Sequence, residues 1–102
     1  MTATETWPEG VIIRFLTVAG EALRDPNLTV DMSLADHTRF ATAACNGCGT
    51  THTPVDYEAY YLDCEYSPEA AAERALASAR VDAAKWAQAH AEKCRAIPRP
   101  SV

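Results

Sequence analysis

Large side chains are scarce in this chain. Of its 102 residues only two are Phe, two Trp and two Met, and alanine supplies much of the 48% that is hydrophobic. A single domain of this length buries a modest core, so one built from small side chains gains from a staple. Basic residues are also few. Nine Lys and Arg stand against 14 Asp and Glu, for a net charge of −5. That balance speaks against a simple nucleic-acid binder, which presents a basic surface to phosphates. No apolar run is long enough to span a bilayer. Residues 1–10 lack the basic-then-apolar pattern of a secretory signal. The chain therefore reads as cytoplasmic and without membrane association, and four cysteines in a reducing compartment point to metal or redox use rather than disulfides.

What the sequence does carry is two short pairs of metal-ligand type. Cys45 and Cys48 form a Cys-x2-Cys, with Gly47 and Gly49 beside them. Glycine accepts the positive φ of a tight turn without steric cost, and Asn46 is the next most tolerant residue. His90 and Cys94 are four apart, which places both on one face of a helix. Zinc favours thiolate and imidazole in a tetrahedron, and structural sites use four protein ligands. The local spacings match such sites, although 41 residues separate the pairs. The expected cofactor is thus one structural zinc ion held by Cys45, Cys48, His90 and Cys94. His52 and Cys64 are rivals for a place in the set. His52 follows the motif on a short strand that points past the metal, and Cys64, among Tyr60, Tyr61, Leu62 and Tyr66, reads as a buried free thiol.

The expected fold class is α+β: a zinc-knuckle β-hairpin packed on a long C-terminal helix, with an additional N-terminal helix, in one domain over 1–102 whose ends, 1–6 and 98–102, are loose. Trp7-Pro8-Glu9 reads as the start of the first helix, and Ile12, Phe15, Leu16, Ala19 and Leu23 recur at helical spacing. The β-rich run Val11–Val18 fits a strand as well, but the continuing phase favours helix. Leu28, Val30, Met32 and Leu34 alternate with polar residues as in a half-buried strand. A turn at 35–37, which gives His37 no chemical role, leads to a strand over 39–45 that delivers the Cys-x2-Cys. Residues 50–53 form a short return strand. The tyrosine-rich, acidic stretch 55–66 reads as a segment whose rings cover the core. Ser67-Pro68-Glu69 is a helix start with N-cap, N1 proline and first-turn acid. The helix then runs to Ala96 with Ala72, Leu76, Ala79, Ala83, Trp86, Ala87, His90, Cys94 and Ile97 on one face. Trp86 would shield the metal.

The Cys45-x2-Cys48 pair and the stretch Trp86–Pro98, about a sixth of the chain, resemble small zinc-binding, zinc-finger-like proteins of actinobacteria, their plasmids and their phages. The resemblance implies a zinc module with an accessory or regulatory role, related to transcription or to a mobile element, and no reaction. Residues 1–66 hold 3 basic and 10 acidic side chains and residues 67–102 hold 6 and 4. The leading expectation is a non-catalytic module acting through protein contacts. A second is nucleic-acid binding through Arg74, Arg80, Lys85 and Arg95 on the outer face of the last helix. A third is a thiol oxidoreductase using Cys45 and Cys48. A catalytic zinc needs an open coordination position and a general base, and no Glu stands at a recognised catalytic spacing to either pair.

Overall fold

The structure is a computed structural model and describes residues 7, 10–34, 41–53 and 55–97. The chain order is β1 (Val11–Leu16), α1 (Val18–Leu23), β2 (Thr29–Leu34), β3 (Ala41–Cys45), α2 (Tyr57–Asp63) and α3 (Pro68–Ala91). The three strands form one antiparallel sheet in the order β1-β2-β3. The α+β class therefore stands, but β3 is the edge of a three-stranded sheet, and in place of the expected return strand at 50–53 there is a single bridge from Thr51 to Ala44.

The first element corrects the expected helix from Trp7 to Leu23. Val11-Ile12-Ile13-Arg14-Phe15-Leu16 is a strand paired to β2; Pro8 and Glu9 lie outside the described residues. Three β-branched residues followed by an aromatic fit a pleated surface better than a helix turn. The pairing with β2 supplies the hydrogen bonds that decide between the two. Only Val18–Leu23 is helical. It starts at Thr17, whose buried hydroxyl accepts from Gly20 N–H and donates to Leu28 C=O, both at 3.0 Å. Gly20 is required there, because a Cβ would lie 2.6 Å from the Leu28 carbonyl oxygen.

β2 alternates as expected from Val30 to Ser33, while Thr29 is buried and Leu34 only half-buried. Val30 and Met32 are buried, while Asp31 on the other face takes an ion pair from Arg14 at 2.8 Å, with Thr29 Oγ1 also accepting from Arg14 at 3.1 Å. The turn at 35–37, with His37, lies outside the described residues, as do both ends, 1–6 and 98–102.

α3 lies across the apolar face of the sheet. Its buried row is Ala71, Ala75, Ala79, Ala83, Ala87 and Ala91, one residue in every four. This corrects the expected face: Ala72, Leu76 and Trp86 are only half-buried and Ile97 is exposed. Ala79 and Ala83 pack with Met32 and Ala41, and Ala87 and Ala91 with Val30, Ala43, Cys45 and Cys94. Methyl groups let the helix approach the strands closely. The largest fully buried side chains are accordingly no bigger than Met32 and Val30. The helix ends at Ala91, five residues before the expected Ala96.

α2 buries none of its residues fully, but the half-buried Tyr57 packs against Met32, Ala41, Ala79 and Ala83, so the expected covering of the core holds for that ring. Tyr61 bonds Ser78 Oγ on α3 at 2.8 Å, Tyr60 and Tyr66 meet its ring edge-on, and Arg74 lies 4.5 Å from the Tyr66 ring centroid. These three rings dock α2 and its following loop onto α3.

Candidate metal centre

The last residue of β3, the turn after it and the end of α3 converge on one point. Cys45 closes β3. Residues 46–48 turn, and the chain returns beside the strand. Cys45 N–H donates to Thr50 C=O at 2.9 Å, His52 N–H donates to Ala43 C=O at 2.8 Å, and Thr51 bridges Ala44. Gly49 takes φ +80° at the corner, a left-handed conformation that favours glycine. Gly47 is needed for a different reason: a Cβ there would sit 2.7 Å from the Ala96 carbonyl oxygen. The turn thus lies against the backbone that follows α3.

His90 belongs to the last turn of α3, and Cys94 lies just past its end. Cys94 N–H still donates to His90 C=O at 2.9 Å, so the i, i+4 relation survives the end of the helix. Cys94 C=O in turn accepts from Ala19 N–H in the first turn of α1 at 3.2 Å. One nitrogen of His90 and the three sulfurs of Cys45, Cys48 and Cys94 all lie within 4.8 Å of one another. Cys45 Sγ is 3.7 Å from Cys94 Sγ, and Cys48 Sγ is 3.2 Å from His90 Nε2. A tetrahedral zinc with bonds of about 2.3 Å to sulfur and about 2.0 Å to nitrogen has sulfur–sulfur edges of about 3.8 Å and sulfur–nitrogen edges of about 3.5 Å. The first separation matches its edge and the second is shorter by about 0.3 Å. The four cysteines are free. The residues present fit a metal ion, and the four are close enough to bind one.

The surroundings act on the two thiols of the turn in opposite directions. Backbone N–H groups of Cys48 and Gly47 point at Cys45 Sγ, the Thr50 N–H points at Cys48 Sγ, and the Cys48 thiol donates to the Thr50 hydroxyl. Burial pushes the Cys45 thiol up to about 11 against the pull of its two N–H donors. The Thr50 hydroxyl, 3.1 Å from Cys48 Sγ, brings that exposed thiol down to about 6, with the Thr50 N–H acting in the same sense. A bound divalent ion would deprotonate both. Trp86 stacks on the His90 ring with centroids 4.9 Å apart and planes at 12°, covering one face of the imidazole as the helical spacing implied.

The two rivals stand elsewhere. His52 Nε2 pairs with Asp82 Oδ2 on α3 at 3.0 Å, and its ring tilts against Trp86. Cys64 caps the C-terminal end of α2, exposed rather than buried, and is not in the cluster.

Sequence reasoning missed what holds the turn in place. Asn46 was read only as tolerant of the turn. Its Oδ1 accepts from Thr29 N–H at 2.9 Å, its Nδ2 donates to Asn27 C=O at 2.7 Å, and its own N–H donates to Thr29 C=O at 3.0 Å. The side chain extends the β2–β3 ladder by one residue and fixes the turn to the start of β2. An Asn inside the motif was the only available signal.

No family model, curated protein or solved structure matches this chain. Among the described residues no helix is long and apolar enough to cross a membrane.

Proposed function

We propose that Cys45, Cys48, His90 and Cys94 hold one structural zinc ion, and that the protein is a non-catalytic zinc-binding module acting through contacts with another protein in the cytoplasm. The observation that carries this reading is the convergence, within 4.8 Å, of four soft and borderline donors from two segments 41 residues apart in sequence. Three sulfurs and one imidazole suit zinc over the hard cations. Four protein ligands complete a tetrahedron and leave no open position for a substrate or a water. The turn, with its N–H groups aimed at both sulfurs, fits a zinc knuckle. The resemblance of the two motif segments to small actinobacterial and phage zinc-binding proteins fits an accessory role in transcription or in a mobile element.

The other readings find less support. Arg80 lies about 120° around the helix from Arg74 and about 140° from Lys85, from the 100° step of an α-helix. Arg74 also covers Tyr66. The basic residues therefore form no single stripe for a phosphate backbone. Cys45 and Cys48 leave a strand in a turn, whereas thiol oxidoreductases place the reactive cysteine at a helix N-terminus that lowers its pKa.

The test is the metal content of the purified protein, with far-UV circular dichroism before and after chelation. One zinc per chain and loss of structure on its removal are expected. No metal, or a spectrum indifferent to chelation, would overturn the metal reading. Salt-sensitive binding of duplex or single-stranded DNA would replace the protein-contact reading with a nucleic-acid one.

A further inference from the structure

The four ligand atoms are unequally protected. Cys45 is 2% exposed and Cys94 9%, while Cys48 is exposed on the outer side of the turn. Trp86 closes one face of His90. A small oxidant arriving from solvent therefore meets the sulfur of Cys48 first. Behind it, within 4.8 Å, stand two further sulfurs, Cys45 and Cys94. An exposed thiolate with a second thiol in reach is the arrangement that turns oxidation into a disulfide instead of stopping at the sulfenic acid. Here one sulfur is outside and two are inside.

We infer that Cys48 is an oxidation site for hydrogen peroxide, and that its reaction releases the metal. The inference rests on the zinc reading above. The Cys48 thiolate attacks one peroxide oxygen; an S–O bond forms, the O–O bond breaks, and the departing hydroxide takes a proton from solvent to leave as water. The Cys45 or Cys94 thiolate then attacks the Cys48 sulfur. The S–S bond forms, the S–O bond breaks, and the oxygen, which kept one proton from the peroxide, takes one more from solvent and leaves as a second water. Two thiolates lose two electrons, and the peroxide is reduced to two waters. The site is left with two ligands of four, too few to retain the ion. Cys48 sits on the turn after β3 and His90 at the end of α3, so the metal link between sheet and helix is lost with it.

Cys64 is a second exposed thiol outside the cluster, so the experiment uses the zinc-loaded Cys64→Ser protein. Hydrogen peroxide is added with a chromogenic zinc chelator present, free thiols are counted, and the disulfide is located by peptide mass spectrometry. One zinc released per two thiols lost, with Cys48 in the disulfide, is expected, and reductant plus zinc should reverse it. Cys48→His in the same background keeps a nitrogen ligand but no outer thiol, and its release should be at least tenfold slower. Zinc retained under peroxide that oxidises Cys64 in the parent protein would overturn the inference, as would a Cys45–Cys94 disulfide with Cys48 free. If Cys48→His does not take up zinc, the disulfide map decides alone. A protein that never binds zinc fails the metal reading and this inference with it; one that binds zinc and keeps it under peroxide fails this inference only.

Discussion

Replacing Cys45 by alanine separates a ligand from a small buried residue. Cys45 is 2% exposed and packs with Val30, Ala43, Ala87 and Ala91. If packing were its whole role, losing one sulfur atom would cost about 1 kcal/mol, comparable with deleting a buried methylene. If it is one of four zinc ligands, the loss is of another order. Structural zinc sites in small domains contribute roughly 10–16 kcal/mol, as much as the roughly 5–15 kcal/mol that separates a folded domain from its unfolded chain. Forfeiting even a third of that would leave the domain marginal, so a destabilisation of about 4 kcal/mol or more is expected. Urea denaturation followed by far-UV circular dichroism measures it, with zinc content determined on the same samples. Cys64→Ser, at an exposed position outside the cluster, should stay within about 0.5 kcal/mol of the parent. Cys94→Ala should match Cys45→Ala, and the double variant should cost far less than the sum, because the second ligand has no ion left to hold. A Cys45→Ala protein that keeps one zinc and unfolds within about 1 kcal/mol of the parent would refute the argument.

Other substitutions probe the supports of the site. Gly47→Ala places a Cβ 2.7 Å from the Ala96 carbonyl oxygen and 3.6 Å from Cys45 Sγ; it should cost about 1–3 kcal/mol and weaken zinc binding in a chelator competition. Gly49→Ala meets nothing within 4 Å and should show only the left-handed backbone penalty, about 1–2 kcal/mol, with zinc affinity nearly unchanged. Ala83→Leu, at a 0% exposed position facing Met32 and Ala41, should lower the melting temperature through overpacking of about 1–3 kcal/mol. Zinc affinity should rise with pH. Burial keeps the metal-free Cys45 thiol protonated up to about 11, so binding displaces its proton. That thiol alone gives about a tenfold gain per unit between roughly pH 7 and 9. Cys48, down at about 6, is already ionised there and adds to the slope only below its own pKa. A competition titration showing flat affinity over that range would contradict the assignment.

Much of the site was legible because ligand spacing is a local property. Two cysteines three apart around a glycine, and a His and Cys four apart near a helix end, constrain their own side chains wherever the rest of the chain goes. The helix start at Ser67-Pro68-Glu69 and the alternation through β2 were legible for the same reason. What escaped depended on partners distant in sequence. Val11–Leu16 has both a helical phase and β-branched residues, and only pairing with β2 decides between them. The phase of α3 was misread because alanine occupies several of its faces, so hydropathy alone cannot mark the buried one. The pairing of His52 with Asp82 and the grip of Asn46 on Thr29 leave no periodic trace.

The alanine row along α3 also restricts how this sequence can drift. Most core positions can shrink or grow by a methylene and be rescued by a neighbour. Alanine at every fourth position has almost no smaller state to fall back on: glycine is the only smaller residue, and each glycine in a helix interior costs about 1 kcal/mol. Growth meets strands that the row brought close. A saturation mutagenesis screen should therefore find at Ala79, Ala83, Ala87 and Ala91 a tolerance confined to serine, glycine and cysteine, while the exposed positions beside them accept nearly any good helix former. Substitutions would collect on the outside of the helix, and the row would change only together with the strands that face it.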